Sequence, residues 1–140
     1  MNVIKLLKPK CSVAFLTQDQ TVRQGIEKIK YHGYTAIPVI DSSGIYIGTV
    51  TEGDFLWKLI SAGEQGLKAL ERISIKDIIR KDWNTPISIT ATTDDIILKL
   101  SEQNFVPVVD DRKVFIGIIT RKDFIKAYFN KEWNYKKQIN

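Results

Sequence analysis

Tyr34-Thr35-Ala36-Ile37-Pro38-Val39-Ile40-Asp41 runs on to Gly48-Thr49-Val50-Thr51-Glu52-Gly53-Asp54-Phe55. The chain then repeats the pattern as Phe105-Val106-Pro107-Val108-Val109-Asp110 and Gly117-Ile118-Ile119-Thr120-Arg121-Lys122-Asp123-Phe124. Pro38 and Pro107, Asp41 and Asp110, Gly48 and Gly117, Thr51 and Thr120, and Asp54 and Asp123 are each 69 residues apart, with nothing inserted or lost between them. Two copies of one unit at a fixed offset predict a pair packed about a pseudo-two-fold axis.

Working outward, Ala36 to Ile40 is rich in β-formers, Asp41 to Gly44 is turn-like, and Ile45 to Val50 is a second β-run, which predicts a hairpin. Val22, Ile26 and Ile29 lie on one helical face between Thr21 and Gly33, and a helix over 52–61 follows the hairpin. The second half replays this as strand 87–90, helix 95–103, strand 105–109, strand 114–119 and helix 121–130. The predicted fold is α/β (α+β), two β-α-β-β-α repeats sharing one module. Residues 1–20 supply an N-terminal helix and a strand over 13–16 belonging to repeat 1. Residues 21–62 form repeat 1, 63–85 a connector with a helix over 74–80 capped by Ser74, 86–130 repeat 2, and 131–140 a partly disordered tail.

At 140 residues, 44% hydrophobic and 26% charged, the chain suits one soluble core shared by both halves. The net charge of +5 permits an anionic partner, and a nucleic-acid-binding protein using the basic surface is the alternative from another class, but the basic residues are scattered, which disfavours it. A single cysteine, Cys11, excludes an intramolecular disulfide, and no apolar run reaches membrane-spanning length. Cytoplasm, with no membrane association, is the expectation.

Thr51-x-x-Asp54 and Thr120-x-x-Asp123 sit where a strand hands over to a helix. Their plain reading is helix capping: the Thr oxygen accepts from a first-turn amide and the acid suits the positive helix end. The same geometry suits a ribose phosphate, with free amides for phosphate and a carboxylate for the ribose hydroxyls.

Val/Ile-Pro-Val-x-Asp followed by Gly-x-x-Thr-x-x-Asp, twice over, resembles a tandem pair of CBS domains, a Bateman module, across about residues 11 to 130. That resemblance implies a non-catalytic sensor binding AMP, ADP, ATP, S-adenosylmethionine or cyclic di-AMP in two composite clefts, with no metal and no cofactor besides the regulatory nucleotide. Carried over by position, cleft A draws on Ser12, Ala14, Tyr34, Thr35, Ile118, Thr120, Arg121, Lys122 and Asp123. Cleft B draws on Val50, Thr51, Glu52, Asp54, Ser88 and Asn104. Arg121-Lys122 stands where the first copy has Glu52-Gly53, which favours cleft A for an anionic ligand. Stand-alone pairs that bind cyclic di-AMP often lack the ribose Asp. Retention of both here favours AMP, ADP or ATP, with cyclic di-AMP the alternative.

A pair without an effector domain is expected to act through an unidentified effector protein or through its own homodimer. Phe55, Leu56, Leu59 and Ile60, with Phe124, Ile125, Tyr128 and Phe129, offer apolar helix faces for dimerisation. Other tempting groups read as structural. His32 belongs at a helix end, Asp94-Asp95 and Asp110-Asp111 at a helix start and a turn, and Trp57, Trp83 and Trp133 in a core or interface. One His and one Cys cannot assemble a usual metal site.

Overall fold

The computed structural model describes residues 2–139. Its elements in chain order are α1 (Val3–Leu6), β1 (Lys8–Pro9), β2 (Leu16–Thr17), α2 (Val22–His32), β3 (Ala36–Ile40), β4 (Tyr46–Thr51), α3 (Glu52–Ser61), β5 (Ile87–Ser88), α4 (Thr93–Glu102), β6 (Phe105–Val109), β7 (Phe115–Thr120) and α5 (Arg121–Ile139). The strands form two sheets, β2-β3-β4 and β1-β7-β6-β5. The repeat is visible strand by strand: β4 and β7 show the same alternation of buried and half-buried residues, 69 positions apart. The offset is larger upstream, where β2 and β5 start at Leu16 and Ile87. The difference is absorbed where α2 ends in a left-handed Gly33, at φ 68°, while α4 ends in an extended Gln103.

The chain divides into two compact units, each with its own apolar core rather than the single shared core expected. One runs from Ala14 to Thr85 and adds Lys113–Phe115. Its core gathers Leu16, Val22, Ile37, Val39, Val50, Phe55, Leu70 and Ile75. The other joins the N-terminal segment through Val13 to Pro86–Arg112 and the chain from Ile116 onward. Its core is Val3, Leu6, Ile87, Ile96, Leu100, Val106, Val108, Ile119 and Phe124.

The N-terminal segment departs from expectation. Lys8 and Pro9 pair antiparallel with Ile118 and Gly117, so the segment through Val13 packs in one compact unit with the strands of the second repeat. Val3 and Leu6, on one face of α1, are buried in that core, while Ile4 on the other face stays exposed. A strand over 13–16 does not form: Lys10–Ser12 makes a 3-10 turn closed by the Val13 amide, and only Leu16 and Thr17 pair, parallel to Val39 and Ile40. Likewise only Ile87–Ser88 of the predicted 87–90 strand is β, since Ser88 Oγ accepts from the Thr90 amide and turns the chain.

The connector is also different. The helix expected over 74–80 is a single 3-10 turn at Ile75–Asp77, and Ser74 makes no side-chain cap. The Ile75 and Lys76 amides donate to Gln20 and Gln18 carbonyls and the Arg80 amide to Thr49, so the backbone is spent on neighbours rather than on its own helix. The predicted tail is helical: α5 continues to Ile139, with Lys136 and Lys137 in its last turn, where cations suit the negative helix end. No helix among the described residues is long and apolar enough to cross a membrane.

The aromatic and acidic side chains divide. Trp57 is 67% exposed rather than core, Trp83 is half-buried, and the side chain of Trp133 lies outside the described residues. His32 is exposed in the last turn of α2, Asp95 completes the capping box begun by Thr92, and the Asp110 carboxylate accepts from the Arg112 amide in a turn.

A buried polar knot anchors the hairpin. The Tyr46 hydroxyl lies 2.6 Å from Thr49 Oγ1 and donates to the Asn84 carbonyl at 2.9 Å. Burial pushes the Tyr46 phenol up from 10.0 to about 12. Because the folded state holds the neutral phenol, this contribution is complete below pH 10 and is lost as pH rises through about 12. The loss amounts to about 2 to 3 kcal/mol. Urea titrations across this window are expected to show that loss in the parent chain and not in Tyr46→Phe, which instead costs about 1 to 3 kcal/mol at neutral pH by leaving a buried carbonyl unpaired.

Candidate functional site

Each Thr-x-x-Asp is placed by a hairpin. β3 pairs with β4 in a register that sets Ala36 opposite Thr51, so the Thr35 carbonyl meets the first amide of α3, Glu52, at 2.9 Å. The second repeat does the same with Asn104 and Arg121, at 2.8 Å. Thr51 Oγ1 accepts from the Asp54 amide at 3.2 Å and Thr120 Oγ1 from the Asp123 amide at 3.0 Å. Two of the first three amides of each helix are therefore already engaged, fewer free donors for a phosphate than the sequence suggested.

The two carboxylates differ. Asp54 closes a full capping box, accepting from the Thr51 amide at 2.9 Å, and its other oxygen accepts from Arg80 Nε at 2.8 Å. Asp123 is half-buried, and among the described residues its carboxylate accepts no hydrogen bond and joins no ion pair. Asp123 lines a pocket of about 430 Å³ with Lys5, Leu6, Leu7, Lys8, Pro9, Ser12 and Ala127. Thr92-x-x-Asp95 shows the capping-only form of the motif. There Thr92 donates both its amide and its hydroxyl to the carboxylate, and these bonds, the amide first, hold Asp95 below the usual carboxylate range.

Of the residues assigned to cleft A, Ser12 and Asp123 share that pocket. Thr120, Arg121 and Lys122 line a neighbouring hollow of about 550 Å³ with Asn104, Ile125 and Lys126. Arg121 is partly tethered, its Nε donating to the Leu100 carbonyl at 2.7 Å. Ile118 and Ala14 are buried. Tyr34 lines an apolar groove with Glu52, Phe55 and Leu56, and Thr35 abuts Glu52, so these two sit beside a residue the sequence had assigned to the other cleft. Of cleft B, Val50 is buried in the core, Thr51 and Asp54 form the closed cap, Asn104 lies beside Arg121, and Ser88 borders a hollow with Asp95 and Lys99. Sequence reasoning missed Lys5, Lys8 and Arg80, whose positions depend on edge pairing that the motif does not encode.

A doubled β-hairpin that presents a Thr-x-x-Asp at each strand-to-helix corner defines a class of repeat protein. The chain belongs to the CBS domain family, whose profile matches residues 5–61 and 73–130.

Among solved structures, the fold matches CbpB in complex with c-di-AMP at TM-score 0.87 and 25% identity, over 99% of this chain and 91% of that one. It matches CbpB from Streptococcus agalactiae at TM-score 0.83 and 25% identity, over 96% and 84%. The L-aspartate semialdehyde sulfurtransferase of Methanocaldococcus jannaschii is 28% identical over 103 residues, 72% of this chain but 18% of that enzyme. The chain thus spans about a fifth of the curated relatives it matches first.

Proposed function

We propose that the protein is a non-catalytic regulatory module that binds an adenine nucleotide, AMP, ADP or ATP, at Asp123. The observation that carries this reading is that half-buried Asp123, whose carboxylate has no partner among the described residues, lines a pocket together with Lys5 and Lys8. A carboxylate so placed can accept from both hydroxyls of a ribose diol, and the two ammonium groups suit the phosphate. Binding rather than turnover is the output this reading assigns to the site.

Cyclic di-AMP is the second reading, favoured by the c-di-AMP complex of CbpB at 25% identity. Its ribose 3′ oxygens are esterified, leaving one free hydroxyl per sugar. That makes poorer use of a carboxylate able to take two.

Leu56, Ile60, Ile125, Tyr128 and Phe129 remain more than half exposed, whereas Phe55 and Phe124 are spent in the cores. We assign the exposed set to a homodimer whose association, or whose grip on an effector protein, responds to the nucleotide.

A thermal-shift screen against AMP, ADP, ATP, S-adenosylmethionine, cyclic di-AMP, NADH and a DNA duplex tests the ligand. A nucleotide at about 100 times its Kd adds ~2.7 kcal/mol, several degrees for a chain this size. AMP, ADP or ATP is expected to give the largest shift, on a particle that sediments as a dimer. A shift from cyclic di-AMP alone selects the second reading, and a strongly salt-dependent shift from DNA alone rejects both.

A further inference from the structure

The two Thr-x-x-Asp corners are flanked by the same structural position, and the residue found there differs. Opposite β4, the Arg80 backbone bridges to Thr49, with Ile79 and the Arg80 carbonyl against Gly48. Opposite β7, Lys8 pairs with Ile118, with Leu7 and the Lys8 carbonyl against Gly117. Thr49 and Ile118, like Gly48 and Gly117, are 69 residues apart, so Arg80 and Lys8 are equivalent edge residues in the two repeats.

Their side chains behave differently. Arg80 Nε donates to Asp54 Oδ1 at 2.8 Å, and its guanidinium lies 5.3 Å from the centre of the Trp83 ring. Asp54 is left with a side chain 12% exposed. Lys8 borders the Asp123 pocket, and among the described residues no ion pair joins the two.

We infer that the edge residue decides which corner can take a ribose: Arg80 occupies the Asp54 carboxylate as a built-in substitute for the sugar, whereas Lys8 leaves Asp123 open. An arginine fork fixes its donors on a carboxylate plane and stacks on an aromatic ring, which a lysine does not reproduce. The segment from Arg80 to Asn84 is held through its backbone, the Arg80 amide donating to the Thr49 carbonyl and the Asn84 carbonyl accepting from the Tyr46 hydroxyl, so it stays in place when the Arg80 side chain is changed. The module then holds one nucleotide per chain by intramolecular competition. This rests on the proposed nucleotide reading and extends it to stoichiometry.

The test is calorimetric titration of the full chain with AMP, using the parent, Arg80→Ala, Arg80→Gln and Lys8→Arg, with melting curves to confirm folding. The expected result is one site in the parent, two in either Arg80 variant, and a loss of tenfold or more at the Asp123 site in Lys8→Arg, although its charge is unchanged. One site in the parent and still one in both Arg80 variants overturns the inference while leaving the nucleotide reading intact. So does weaker binding after loss of Arg80, which would make Arg80 a phosphate contact. No site in the parent but one in the Arg80 variants supports the inference against the Asp123 reading, and no site in any protein overturns both.

Discussion

Asp123→Ala is expected to remove nucleotide binding almost entirely while leaving the fold nearly as stable as before. Two charge-assisted hydrogen bonds to a ribose diol amount to about 3 kcal/mol or more, so the affinity should fall ~100-fold or beyond. Stability should change little, because the carboxylate accepts no hydrogen bond and joins no ion pair among the described residues. What is lost is its place in the first turn of α5, about 0.3 to 1 kcal/mol. Asp54→Ala should do the reverse. It breaks a capping box and an ion pair, costing about 1 to 2 kcal/mol, with little effect on affinity for AMP. Calorimetry and urea denaturation on the two variants read both quantities. A stable Asp123→Ala protein that binds AMP normally would reduce Asp123 to a helix-start residue.

The second large effect falls on the backbone. Gly117 has φ 154°, and a Cβ there would fall on the Lys8 carbonyl oxygen, with Leu7 Cδ1 at 2.9 Å. The clash is with a strand edge that is itself hydrogen-bonded, so it cannot be relieved by a rotamer change. Gly117→Ala is expected to cost about 2 to 4 kcal/mol, combining a strained φ with overpacking. The melting point should drop by roughly 10 °C. Gly33→Ala is the control: φ is 68° there, but an added Cβ meets nothing within 4 Å. It should cost only the left-handed penalty, about 1 to 2 kcal/mol. Equal melting points for the two variants would mean that the β1–β7 edge yields easily.

These two sites show what could be read from the sequence and what could not. The hairpins and the helices that follow them were legible because their signals are local: alternating β-formers, an Asp-led turn, and Thr three residues ahead of Asp. The strand bounds of β3 and β6 follow from Ala36–Ile40 and Phe105–Val109 directly. Short edge pieces carry no such signal. Lys8–Pro9 is a strand only because Ile118 and Gly117 offer a ladder, and Ile75–Asp77 stays a single turn because Gln18 and Gln20 take its amides. Local propensity read a longer helix at the connector, and tertiary hydrogen bonds overrode it.

The same division holds at the candidate site. The doubled Thr-x-x-Asp marked both corners, and the contrast of Arg121-Lys122 with Glu52-Gly53 suggested that they were unequal. The structure adds a different source of inequality, the ion pair from Arg80 to Asp54. Arg80 lies 26 residues from Asp54 in a segment without motif character, so only folding brings the two together. Lys5 and Lys8 were invisible for the same reason. They reach the Asp123 pocket through the packing of α1 and β1 with the second repeat.

The most direct measurement is the structure of the protein crystallised with AMP. The account predicts one nucleotide per chain, both ribose hydroxyls within hydrogen-bonding distance of the Asp123 carboxylate, the phosphate beside Lys5 or Lys8, and the Arg80–Asp54 pair intact. A nucleotide with its ribose on Asp54 and Arg80 displaced, or an Asp123 carboxylate that touches no ligand atom, would contradict it.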